Sequence, residues 1–362
     1  MRVLFDIGHP AHVHLFRNVI LCLEERGHRV LVAATEKEVA TDLLKQYAIP
    51  FVSLAKPGQT LVAKGIRLVI STLRLASIVV RFAPDIFIAV SPVRSAPLAW
   101  LFCRPCVGLD DTEHAKLARH LYMPFVSAIL TPAWYQIELG NRHVRYRGFQ
   151  ELAYLHPNLF TPDEEVLRES SLSPGEFFSV VRFVNPTPSH DLGHSGFSHS
   201  ARIRLVRKLA EHGRVIVSSE SALPQELEHY RMLSRASAMH HLLAFAAVYA
   251  GDGGTMTTEA ALLGTPSVFC GTVGPLVGNF RYLERQYGLV RCFVDDEEAI
   301  QCAVNLALDP SAKKEWRRRR NLLLEECINL THALTRIAGA FVCVSSARRD
   351  SFWVRDRRRL LR

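Results

Sequence analysis

An α/β protein of two doubly wound parallel-sheet domains is predicted for this 362-residue chain on three observations. Short β-branched runs alternate with longer stretches of helical period, which is how βα units around a parallel sheet read. The alternation fails over 148–175, where Pro157, Pro162 and Pro174 fall, and then restarts. With 48% hydrophobic residues at this length, the chain can fill two cores.

In the first domain, 1–150, strands are expected at MRVLFDI (1–7), RVLVAA (29–34), PFVSL (50–54), DIFIAV (85–90), PCVGL (105–109) and AILTP (128–132). Helices at 12–26, 36–47, 60–82, 94–102 and 113–122 fill the gaps. An interdomain crossover occupies 151–175. The second domain, 176–341, repeats the pattern with FFSVVRF (177–183), RVIVSS (214–219), AAVYAG (246–251), PSVFC (266–270) and VRCFV (290–294), and ends on a terminal helix. Residues 342–362 lack periodicity and are expected to form a basic, disordered tail. Sheets of this class bind ligands at the C-terminal ends of their strands, so two of them facing each other would build a cleft.

The net charge of +9 is local. Segments 313–320 and 342–362 together carry ten net positive charges, which leaves the rest of the chain near −1. A nucleic-acid binder spreads its cations over one face, so no nucleic-acid partner is expected. The start MRVLFDIGHP puts Asp6 inside the first apolar run, and no signal peptide is expected. Segment 60–82 is broken by Lys64, Arg67, Arg74 and Arg81, well short of the roughly 18 uninterrupted apolar residues of a membrane span. Eight scattered cysteines read as buried small side chains in a reducing cytoplasm. The spacing of Cys103 and Cys106 lacks a second pair, and no metal site is expected.

The most specific local signal is AGDGGTMTTEAALLGTP (250–266). A strand ends at Gly251 and a helix starts near Thr255, whose first N–H groups lack intrahelical partners. Gly253 and Gly254 would let backbone approach a diphosphate, Thr255 or Thr257 could add a hydroxyl, and the positive helix end favours an anion. Glu259, one turn on, is placed to accept ribose hydroxyls. The same residues would also make an ordinary tight strand-to-helix turn. Three polar clusters fall at other strand ends: GHPAHVH (8–14), with His9, His12 and His14; DDTEHA (110–115), with Asp110, Asp111, Glu113 and His114; and RFVNPTPSHDLGHSG (182–196). Each could be a solvated loop, but all three at the ligand-binding edge read together as a site.

The segments MRVLFDIGHPAHVHLFRN, LDDTEHA, SHDLGHSG and GDGGTMTTEAALLGTP resemble domain-of-unknown-function family 354 over about residues 1–335. That family is similar to GT-B enzymes, which bind a nucleotide sugar between two Rossmann-like domains, and to the non-hydrolysing UDP-N-acetylglucosamine 2-epimerases. The resemblance implies a GT-B-like fold, with Gly253 and Gly254 at the diphosphate and Glu259 at the ribose. PAHVH resembles the GGHV loop of the peptidoglycan-precursor glycosyltransferase, which implies His12 as base. Glu113, with Ala115 and Arg119 after it, resembles an epimerase catalytic glutamate. Two epimerase features are absent: no carboxylate occurs from Ala89 to Ser95, and Val181–Arg182 stands where a His-Arg pair is expected.

The reading is therefore a cytoplasmic, metal-independent glycosyltransferase-like enzyme with a nucleotide-sugar donor, UDP-linked, and a glycan or lipid-linked acceptor. Amides of Gly253 and Gly254, with Arg182, would stabilise the leaving diphosphate. Gly8, His9, His190, Thr255 and Met256 complete the nucleotide-sugar contacts. His12 would take the acceptor proton, and Asp110, Asp111, Glu113 and Asp191 would orient hydroxyls or assist. A nucleotide-sugar 2-epimerase and a non-catalytic nucleotide-sugar binding protein are the alternatives. In 60–82, Arg67, Arg74 and Arg81 recur every seven residues beside Leu61, Ile66, Leu73 and Ile78. That stripe suits peripheral contact at the inner face of an anionic membrane, or a buried helix with a solvated basic edge.

Overall fold

The computed structural model describes residues 1–56, 58, 60–113, 115–184, 196–219 and 222–343. The chain divides into two compact units, Pro157–Glu326 and Met1–His156 joined by the chain from Cys327 onward.

The first unit runs β1 (Arg2–Ile7), α1 (Pro10–Glu25), β2 (Arg29–Ala34), α2 (Glu38–Gln46), β3 (Phe51–Ser53), α3 (Leu61–Phe82), β4 (Ile86–Val90), α4 (Ser95–Leu101), β5 (Cys106–Leu109), α5 (Lys116–Tyr122), β6 (Ala128–Pro132), β7 (His143–Tyr146) and α6 (Leu152–Leu155). Its seven strands pair in the order β3-β2-β1-β4-β5-β6-β7, all parallel. Leu75 and Val79 of α3, Leu98 of α4 and Tyr122 of α5 share one core cluster with Leu4, Phe87 and Ile129 of the strands.

The second unit runs α7 (Glu165–Glu169), β8 (Phe178–Phe183), α8 (His199–Ala210), β9 (Arg214–Ser219), α9 (Met239–Phe245), β10 (Tyr249–Gly251), α10 (Gly254–Leu262), β11 (Ser267–Cys270), α11 (Gly278–Tyr282), β12 (Val290–Phe293), α12 (Asp296–Leu308) and α13 (Ala312–Glu326). Its parallel sheet has the order β12-β11-β10-β8-β9, with β8 and β10 adjacent. The fold is the expected pair of doubly wound α/β units.

Three details differ from expectation. Strand β7 went unforeseen because HVRY offers only Val144 and Tyr146 as apolar residues; it pairs at the sheet edge and buries His143 against Thr131 Oγ1 at 2.7 Å. Helix α5 starts at Lys116 rather than 113, so Glu113 stays in the turn before it. The terminal helix α14 (Leu330–Cys343), expected with the second domain, packs on α1 and α6 of the first unit. Its buried Leu330, Leu334, Ile337 and Phe341 supply the reason, and Thr331 Oγ1 donates to Ala153 O at 2.7 Å. The tail expected to be disordered lies outside the described residues from 344 onward.

Candidate functional site

In the second unit, adjacent strands β8 and β10 end at Phe183 and Gly251. At Gly251 a Cβ would stand 2.5 Å from Arg182 O, so only glycine lets these strand ends come together. Asp252 then turns its carboxylate into the fold: Oδ1 accepts from Val184 N at 2.7 Å and Oδ2 from Arg202 at 3.0 Å. Burial pushes the Asp252 carboxyl up, and the Val184 N–H and the Arg202 cation oppose the shift. The same carboxylate fills the space where Gly196 would carry a Cβ, at 2.5 Å.

Helix α10 begins at this locked turn. Helices α1, α8 and α12 are capped by the side chains of His9, Ser198 and Asp295, whereas the N-cap of α10 is Gly253, in extended backbone, with no side chain to give. Gly254 and Thr255 are exposed and Met256 half-buried, and a Cβ on Gly254 would meet only Phe280, at 3.7 Å. Arg182 runs beside the turn, its Cγ 3.3 Å from where a Gly253 Cβ would stand, and it donates to Ser218 Oγ at 2.6 Å. Of the two threonines expected to offer a hydroxyl, Thr257 is excluded: it is fully buried and donates to Gly253 O at 2.8 Å. Glu259 is buried, its Oε1 3.0 Å from Nε2 of His240, a partner not foreseen from the sequence. His190 and Asp191 lie outside the described residues.

In the first unit, Gly8 follows β1, and His9 Nδ1 accepts from Ala11 N at 3.2 Å with Pro10 at the first helical position. Gly8 N–H donates to His12 Nδ1 at 3.3 Å. Burial first, then the neighbouring His9, Lys37 and Arg94 charges, push the His12 pKa well below its ordinary value. A neutral imidazole whose Nδ1 lone pair faces a donor carries its hydrogen on Nε2 and presents a donor. The expectation that His12 removes a proton therefore meets a geometric obstacle, because the accepting nitrogen is already engaged. Beneath this turn Arg94 Nε donates to both Asp6 oxygens at 2.8 and 3.0 Å, and its Nη1 reaches Thr35 Oγ1 at 2.8 Å. This buried pair fills the strand end after β4, where an epimerase-type carboxylate is missing from the sequence.

The DDTEHA loop follows β5. Asp110 is buried: its Oδ1 accepts from Thr112 N at 2.9 Å and its Oδ2 from the hydroxyls of Tyr122 and Tyr135. Burial still pushes its carboxyl up. Asp111 is half-buried and takes the Thr112 hydroxyl at 3.1 Å. Its carboxyl is pushed up to about 7 by burial and by the Asp110 charge, with Glu113 adding to it. Glu113 is buried, and its Oε1 accepts from Gln136 N at 3.3 Å. Arg119 ties the loop together by donating to Tyr135 Oη at 2.7 Å and to Glu113 O at 3.2 Å. His114 lies outside the described residues.

Comparison with known proteins agrees with this architecture. An uncharacterised protein of Methanocaldococcus jannaschii, MJ0665, is 25% identical over 281 residues, 74% of this chain and 81% of that protein. Among solved structures, the spinosyn rhamnosyltransferase SpnG, complexed with spinosyn aglycone, superposes with a TM-score of 0.61 at 13% identity over 94% of this chain and all of that one. The UDP-GlcNAc 2-epimerase of Neisseria meningitidis bound to UDP-GlcNAc gives 0.62 at 13% identity, covering 94% and 99%. At such identity the likeness is one of fold, and the fold is GT-B-like. The family model described as protein of unknown function (DUF354) matches residues 1–331, and the chain belongs to that family.

Proposed function

We propose that the protein is a glycosyltransferase that takes its sugar from a UDP-linked donor bound at the β10–α10 turn. The observation that carries this is the head of α10: an uncapped helix start with exposed Gly254 and Thr255, with the Arg182 stem from the end of β8 running past Gly253. Unpaired N–H groups, the positive helix end and a cation suit a diphosphate, and they stabilise the charge that develops on it as the glycosidic bond breaks. Glu259, braced by His240, would hold the ribose. The chemistry then needs no metal, because fixed donors do the work of charge stabilisation. The acceptor is a glycan or a lipid-linked acceptor, and the apolar stripe of α3, on which Ile66 and Leu73 are exposed, supports the lipid-linked case.

Titration calorimetry with UDP-N-acetylglucosamine and other UDP-sugars tests the donor site through Gly254→Val. A Cβ at this position meets only Phe280, at 3.7 Å, so the protein is expected to stay folded while its affinity falls at least tenfold. Unchanged affinity would remove the site from this turn. A second reading, a nucleotide-sugar 2-epimerase, draws on the Asp111 and Glu113 carboxylates. Against it stands Arg94, locked to Asp6, at the β4 strand end. Product analysis separates the two: a joined saccharide supports the transferase and a free epimerised sugar the epimerase.

A further inference from the structure

We propose that Asp111 is the proton acceptor at the strand ends of the first unit, and that His12 is a fixed hydrogen-bond donor there. The inference takes its reaction from the transferase reading, but the state of the two side chains rests on the first unit alone.

The argument starts from which lone pairs are already engaged. His12 Nδ1 accepts from Gly8 N–H, so proton uptake at that nitrogen would set two N–H groups against each other. Asp110 is equally unsuitable, because Thr112 N–H and two tyrosine hydroxyls occupy its oxygens inside the fold. Asp111 is the member of this pair that stays partly exposed, and it accepts from the Thr112 hydroxyl.

A second observation comes from β7. The Tyr146 side chain is buried, and its hydroxyl makes no hydrogen bond among the described residues. Burial raises its pKa well above the usual phenol value, and Asp111 is the first of the charges that add to the shift, ahead of Glu151, Cys327 and Asp110. Buried hydroxyls are normally satisfied, so this unpartnered donor, close enough to Asp111 to feel its charge, marks an unfilled polar position on that side of the carboxylate.

The groups around Asp111 set its acidity. Asp110 and Glu113 of its own loop disfavour its charge, and the Thr112 hydroxyl favours it. Arg119 from α5 is spent on Tyr135 and on the Glu113 carbonyl, while Tyr122 serves Asp110. Burial and the ionised neighbour together leave Asp111 poised to exchange a proton near neutral pH. In transfer, the acceptor O–H bond breaks and its proton goes to Asp111. The acceptor oxygen bonds to the sugar's anomeric carbon, and the bond to the diphosphate oxygen breaks with its electron pair leaving on the nucleotide. Asp111 then returns the proton to solvent.

Carbon-13 NMR of aspartate carboxyls in the full-length protein, assigned with Asp111→Asn, reads the acidity without any substrate. Asp111 is expected to titrate near 7 and to move down by about one pH unit or more in Asp110→Asn, since a neighbouring charge is removed. The second arm follows UDP release from UDP-N-acetylglucosamine across pH. Asp111→Asn is expected to lower kcat by about 100-fold or more with UDP affinity kept, and His12→Gln to lower the rate without moving the acidic limb. An Asp111 that titrates near 4, a wild-type rate in Asp111→Asn, or a limb that moves with His12→Gln overturns the proposal. If no UDP-sugar binds, the transferase reading falls and the carboxyl titration still decides on Asp111.

Discussion

A carboxylate kept partly out of water beside a second carboxylate strains the fold whenever it is ionised, and Asp111 makes that strain measurable. Its folded value of about 7 lies above the ordinary carboxyl value near ~4, so the folded state holds a proton that the unfolded chain releases across that window. Stability from this group is therefore present below about pH 4 and lost as pH rises through about 7. Asp111→Asn should stabilise the protein by about 1–3 kcal/mol at pH 8 and leave it nearly unchanged at pH 4. Urea midpoints at the two pH values check this, and an equal gain at both would mean altered packing instead. At the donor turn, Glu259→Gln keeps a partner for His240, whereas Glu259→Ala would remove the oxygen that faces that buried imidazole; the glutamine variant is therefore the cleaner test, expected to weaken UDP binding by about 1–3 kcal/mol in calorimetry. Sequence reasoning found these residues because polar clusters at strand ends stand out against apolar runs. It missed Arg94 with Asp6, 88 residues apart, and Arg202 with Asp252, 50 apart, because such pairs exist only once the strands are ordered. The choice between Thr255 and Thr257 was equally hidden, since it depends on the phase at which α10 starts.

Helix α3 is apolar on two faces, which a helix serving only its own core does not need. Ser71, Leu75 and Val79 face inward, while Val62, Ile66, Val69, Leu73 and Val80 are 57–74% exposed. At 100° per residue these five fall within an arc of roughly 60°, with Arg67, Arg74 and Arg81 along one flank. The sequence expectation rested on the spacing of the cations and named Leu61, Ile66, Leu73 and Ile78. Ile66 and Leu73 are on the exposed stripe, but Ile78 is only half-exposed and the three valines were overlooked. No helix among the described residues is long and apolar enough to cross a membrane, so a lipid contact through α3 would be peripheral. Flotation with vesicles containing anionic phosphatidylglycerol is expected to carry the protein at low salt. Ile66→Gln with Leu73→Gln should lower the bound fraction at least tenfold while thermal stability stays within about 0.5 kcal/mol per site, because both side chains are exposed in the fold. Failure of the unaltered protein to float would end the membrane proposal.

The chain leaves the first unit after His156, builds the second unit from Pro157 to Glu326, and returns. The second unit is therefore continuous in sequence and the first is not. What returns is an apolar helix: Leu330, Leu334, Ile337, Ala338 and Phe341 are each at most 2% exposed, and Ile328 N bonds back to Arg147 O at 2.8 Å. Full burial of a leucine, isoleucine or phenylalanine contributes about 1.5–3 kcal/mol, so loss of this helix would remove an amount comparable to the roughly 5–15 kcal/mol that holds a domain folded. Expressed alone, residues 157–326 should unfold cooperatively, having their own sheet and core. Residues 1–156 alone should not, and should regain a cooperative transition when 327–343 is joined through a flexible linker. Hydrogen exchange on the full chain cut after Glu326 gives the same test in place: protection is expected to be lost in α1 and α6, against which α14 packs, and retained in β8 and β10. If 1–156 folds without the returning helix, α14 is an accessory to that core; if 157–326 fails to fold alone, its stability depends on the rest of the chain.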